Sequence, residues 1–94
     1  MHFVYIIYSA VLDKFYVGET SNLSKRVVWH NSKEFSHSYT VIANDRVVFL
    51  SFECEIIGIA RKIETHIKNM KSRKYFESLK LYPEMIEKLI KKFS

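Results

Sequence analysis

Ninety-four residues are enough for one domain with a single buried core, and the expectation is one domain over residues 1–94. Hydrophobic residues at 48% beside 27% charged residues exclude a disordered chain, and a lone cysteine, Cys54, excludes an intrachain disulfide and a thiolate metal cluster. The net charge of +5 is concentrated in one window: Arg61 to Lys80 holds seven basic residues against Glu64 and Glu77, a surface that attracts polyanions in a salt-dependent way.

Phe3 to Ser9 and Lys14 to Glu19 are rich in β-branched and aromatic residues and predict a hairpin. With Ala10 to Asp13 as its four-residue loop, Ser9 faces Lys14, Ile7 faces Tyr16 and Tyr5 faces Gly18. That register places Tyr5 and Tyr16 on one face, and Gly18 leaves space beside Tyr5. The apolar run from Phe3 to Leu12 has neither the basic flank nor the cleavage site of a leader and is far short of a membrane span, so a cytoplasmic location is expected. Thr20, Ser21 and Asn22 are N-cap candidates for a helix over Leu23 to Asn31, on which Arg26 and His30 share a face. Ser32 to Asp45 reads as polar and irregular, with Val41-Ile42 unassigned, and Arg46 to Glu53 reads as a third strand. Glu55 to about Lys71 is the longest helix, with an apolar stripe of Ile56, Ile59, Ile63, Ile67 and Met70 and a separate stripe of Arg61, Glu64, Lys68 and Lys71. A basic connector leads to Pro83, which suits the first turn of a last helix whose apolar face is Met85, Ile86, Leu89, Ile90 and Phe93. The order β-β-α-β-α-α implies an α+β domain, a small, mainly antiparallel sheet covered by helices.

Cleaving a phosphodiester requires a nucleophilic water, neutralisation of the phosphate's developing charge and stabilisation of the leaving oxygen. Tyr5 and Tyr16, with an ordinary phenol pKa of about 10, serve as bases only where positive charge from Arg26, Lys25 or a metal favours the phenolate. Taken singly, each reads as an ordinary packing residue of a strand. Arg26 offers a planar fork for phosphate and His30 a proton donor or acceptor on the same helix face. Glu64 is one carboxylate, sufficient in principle for magnesium, which keeps several waters; its plain alternative is an i,i+4 pair with Lys68. Lys25, Arg61, Lys68, Lys71, Arg73 and Lys74 are the expected phosphate contacts, with nothing that reads bases. His37 and His66 lack ligand-spaced partners, and Trp29, Cys54, Tyr75 and Phe76 read as packing residues.

Val4-Tyr5-Ile6, then Phe15-Tyr16-Val17-Gly18-Glu19-Thr20, then Leu23-Ser24-Lys25-Arg26 with His30-Asn31, and finally Ala60 to Lys68 around Glu64 form an arrangement that resembles the GIY-YIG nuclease family. The resemblance is to its small single-domain members, similar to the N-terminal nuclease domain of bacterial excision-repair enzymes, and covers about residues 3–71. It implies a three-stranded antiparallel sheet flanked by helices. The activity it implies is metal-dependent endonucleolytic hydrolysis of DNA, and the first expectation is a nuclease of low sequence specificity in repair or recombination. Carried over by position, Tyr16 or Tyr5 would orient or deprotonate the attacking water, Arg26 would stabilise phosphate charge, and His30 would assist proton transfer or contact phosphate. Glu64 would hold magnesium or manganese, and a targeting protein is a further expected partner. Two rivals stay open: a non-catalytic nucleic-acid-binding module on the same fold, and an interaction module using the amphipathic C-terminus.

Overall fold

The computed structural model describes residues 2–32 and 45–94; the expectations for Val41, Ile42 and His37 lie outside them. Strands β1 (His2–Ser9) and β2 (Lys14–Thr20) form the hairpin, and helix α1 (Leu23–Ser32) follows. The third strand, β3 (Val47–Cys54), is succeeded by α2 (Ile57–Met70), α3 (Arg73–Leu81) and α4 (Pro83–Phe93). The sheet is antiparallel throughout, in the order β2-β1-β3. The hairpin register is the expected one: Ser9 pairs with Lys14, Ile7 with Tyr16 and Tyr5 with Gly18.

Alternation along β1 divides the sheet into two unlike faces. Val4 and Ile6 point into the main core, which they share with Cys54, Ala60, Ile63, Ile67, Phe76, Leu79 and Leu89 from β3 and the last three helices. Tyr5 and Ile7 are equally buried but point to the opposite face, where α1 brings His30 against Tyr5. Between Ile6 and Ile7 the pairing with β3 slips from Leu50 to Val48. The extra residue, Phe49, is a bulge that packs edge-on against Phe15 of β2 at 5.1 Å.

The hairpin loop is fastened from a distance. The Asp45 carboxylate accepts from Ser9 Oγ at 2.8 Å and from the Val11 amide at 2.9 Å, and these bonds hold its pKa below the usual carboxylate value. Asn22 is the cap of α1, its side-chain oxygen accepting from the Lys25 amide at 3.1 Å.

Helix α3 corrects the sequence reading, which took its residues for a connector. Ser72 Oγ caps it by accepting from the Tyr75 amide at 3.1 Å, and Phe76 and Leu79 enter the core. Ser72→Ala is expected to lower stability by about 1 kcal/mol, measurable as a lower urea midpoint with an unchanged m-value. Tyr82 ends α3 and begins α4 at φ −123 and ψ 84, outside the helical region that the following Pro83 disfavours. The α2 stripe is shorter than expected: Ala60, Ile63 and Ile67 are buried, whereas Ile56 and Met70 at its ends are exposed. The apolar face of α4 packs on the core through Leu89, Met85, Ile86, Ile90 and Phe93, so it is used within the domain. Helix α2 closes at Lys71, whose φ of 47 and ψ of 40 are left-handed values that glycine adopts more readily. Among the described residues, no helix is long and apolar enough to cross a membrane.

Candidate active site

The site is centred on Tyr5 and on the missing side chain of Gly18. A β-carbon built at position 18 would lie 2.3 Å from Tyr5 Oη, so the phenol occupies the space that glycine leaves in β2. Gly18 has no positive φ; what the position requires is room. Through this gap Tyr5 Oη reaches His30 Nε2 of α1 at 3.0 Å. The rings of Tyr5 and Tyr16, which the hairpin register sets on one face, lie 6.0 and 5.9 Å from that of His30.

Charged groups from both sides of the sheet converge on the same phenol. Burial pushes the Tyr5 pKa up; the charge of Arg26 and its hydrogen bonding act in the opposite direction, and the carboxylates of Glu64 and Glu19 reinforce the rise. Glu64 therefore stands near Tyr5 although it belongs to α2. Its Oε2 is 3.1 Å from Lys68 Nζ, so the i,i+4 pair read as its plain alternative is also present. His30 joins Tyr5 and Tyr16, and Arg26 and the Glu64 charge act on the Tyr5 phenol.

The expected phosphate contacts divide by position. Lys25 lies with Arg26, Asn22, Thr20, Val28 and Trp29 around an open pocket beside the site. Arg61 is 3.6 Å from Glu19. Lys68, Lys71 and Arg73 line a groove on the other side, and Lys74 is exposed outside that lining. Cys54 and Phe76 are core residues, as expected, and His66 bonds to Tyr75 at 3.0 Å between α2 and α3. Trp29 departs from its packing assignment: it is 46% exposed, with the Arg26 guanidinium 5.1 Å from its ring centroid and its ring 5.1 Å from that of His30.

Arg46 was read only as the start of a strand, yet it is buried behind the site. Its Nη1 donates to the His30 carbonyl at 3.0 Å, its Nη2 donates to Tyr16 Oη at 3.3 Å, and its guanidinium lies 4.7 Å from the Tyr16 ring centroid. Asn31 holds the Arg46 backbone at both ends, accepting from its amide at 3.0 Å and donating to its carbonyl at 3.2 Å. Its position at a strand boundary is the only signal in the sequence, and that signal does not indicate a site.

Two phenols, an imidazole, a guanidinium and a carboxylate around one gap suit phosphate-ester chemistry, in which charge must be neutralised and protons moved. A family model described as the GIY-YIG catalytic domain matches residues 1–76 of the 94. The chain belongs to that nuclease family. Its nucleases are generally dependent on divalent metals and act on DNA. No curated protein and no solved structure gives a significant match.

Proposed function

We propose that this protein is a metal-dependent endonuclease that hydrolyses DNA phosphodiester bonds with low intrinsic sequence specificity, in the cytoplasm and in the setting of repair or recombination. The observation that carries this reading is the Tyr5 hydroxyl bonded to His30 Nε2 at 3.0 Å with Arg26 acting on the same phenol. Among the described residues no three His, Cys, Asp or Glu side chains cluster as metal ligands, and the Glu64 carboxylate is the donor this reading assigns to the cation. A lone hard-oxygen donor fits magnesium or manganese, whose shells are completed by waters and substrate phosphate, and does not fit a closed zinc site. When bound there, the cation supplies positive charge to the phosphate and acidifies water.

The protein's own groups supply the rest. Arg26 presents a planar, permanently charged fork to the phosphate oxygens. A phenol whose ionisation is opposed by burial works as a base only if a second group takes its proton, and His30 Nε2 at 3.0 Å from Tyr5 Oη is placed to do so. Tyr16, whose ring lies 5.9 Å from the same imidazole, orients the attacking water. The Glu64–Lys68 ion pair also supports a second reading, a nucleic-acid-binding module in which the carboxylate is only structural. Nicking of supercoiled plasmid with magnesium, manganese or EDTA separates the two. Wild type is expected to nick only with metal, and Glu64→Ala to lose at least a hundredfold in rate, as for loss of a principal electrostatic contributor, while remaining folded. Wild-type nicking by purified Glu64→Ala removes the metal role.

A further inference from the structure

Helix α2 runs along the β2 edge of the sheet in the opposite direction to the strand. Arg61 meets Glu19, Glu64 acts on Tyr5 beside Gly18, and Lys68 and Lys71 lie against the stretch from Lys14 to Val17. Past the site, strand and helix enclose a groove of about 540 Å³. Its cations are Lys14, Lys68, Lys71 and Arg73, and its single carboxylate is Asp13. It begins at the site itself, because Lys68 Nζ is 3.1 Å from the Glu64 carboxylate.

Arg73 is held in this groove by Phe15 and Asp13. Its guanidinium lies 5.2 Å from the Phe15 ring centroid, and Nη2 donates to Asp13 Oδ1 at 2.7 Å and to the Asp13 carbonyl at 3.3 Å. Asp13 Oδ1 also accepts from Tyr8 Oη at 2.6 Å. A guanidinium nitrogen that donates to a carboxylate oxygen can donate in the same place to a phosphate oxygen.

We propose that the groove carries the sugar–phosphate backbone of the substrate strand on one side of the cleaved bond, and that Asp13 occupies on Arg73 the place a phosphate takes when nucleic acid binds. The groove rests on the nuclease reading for the bond that is cut, and on charge and shape alone for binding. Asp13 thereby weakens binding to every polyanion, and only a strand that delivers a phosphate to Arg73 replaces it.

The test is anisotropy of a fluorescein-labelled oligonucleotide, single-stranded and duplex, titrated in EDTA at several salt concentrations. Two variants suit the backbone they alter: Lys71 and Asp13 both have left-handed φ, of 47 and 51, which glycine and asparagine accept. Lys71→Gly is expected to weaken binding about threefold to tenfold and to reduce the salt slope by about one. Asp13→Asn is expected to tighten binding severalfold. Lys91→Ala, which removes the same charge from exposed α4 outside the groove, is expected to leave it within about twofold. Equal losses in Lys71→Gly and Lys91→Ala, or weaker binding by Asp13→Asn, overturn the proposal. Plasmid nicking run alongside keeps the two readings apart. Unchanged binding in the groove variants with metal-dependent nicking intact removes the groove alone, whereas the expected binding pattern with no nicking by wild type removes the nuclease alone.

Discussion

Gly18→Ala is expected to abolish plasmid nicking and to lower stability by about 1–3 kcal/mol, the usual cost of forcing volume into a filled space. The added methyl would lie 2.3 Å from Tyr5 Oη and 2.6 Å from Tyr5 Cζ. The phenol cannot simply swing away, because Tyr5 is 2% exposed and its hydroxyl is bonded to His30. Either the ring leaves His30 or β2 moves from β1, and in both cases the arrangement around the Tyr5 hydroxyl is disturbed. A double-mutant cycle isolates the cause: in a Tyr5→Ala background, Gly18→Ala should cost little, since the atoms it meets are gone. Urea unfolding of the four proteins measures the coupling. Nicking at the wild-type rate by Gly18→Ala would show that the gap at position 18 has no part in catalysis.

This gap was legible before the structure because strand periodicity leaves few choices. Once Ala10 to Asp13 are taken as the loop, alternation sets Tyr5 opposite Gly18 and beside Tyr16, and the observed register is the same. Arg26 and His30 were legible for the corresponding helical reason, four residues apart on one face. Glu64 stood out because it lies off the apolar stripe of α2. Local periodicity could not show what approaches these faces from elsewhere in the chain. The contact between Arg46 and Tyr16 joins residues thirty apart. Helix α3 was missed for another reason: it is only nine residues long, is rich in charge, and has Tyr75, Phe76 and Leu79 as its inward positions, too few to establish a period. Ile56 and Met70 continue the α2 stripe by pattern, but they lie at the helix ends and are exposed.

Arg46→Gln is expected to lower stability by about 2 kcal/mol, since it removes charged donors from a buried carbonyl and a phenol. In a domain of this size that is a fall in Tm on the order of 10 °C. Arg46→Lys should not restore it. A compact ammonium lacks the planar fork with which the guanidinium, 4.7 Å from the Tyr16 ring centroid, donates through separate nitrogens to the His30 carbonyl and to Tyr16 Oη. The functional consequence follows from where these bonds end. Arg46 fixes the backbone of His30 and the hydroxyl of Tyr16, so its loss loosens both groups that stand beside the Tyr5 phenol without removing either. Arg46 is 7% exposed, which places its guanidinium behind the site as a positioning group and out of reach of a phosphate backbone. The expected signature is a slower single-turnover nicking rate with oligonucleotide affinity and salt slope unchanged in EDTA. A phosphate-contacting arginine would show the reverse, weaker binding with the slope reduced by about one, and that result would move Arg46 from the support of the site to its surface.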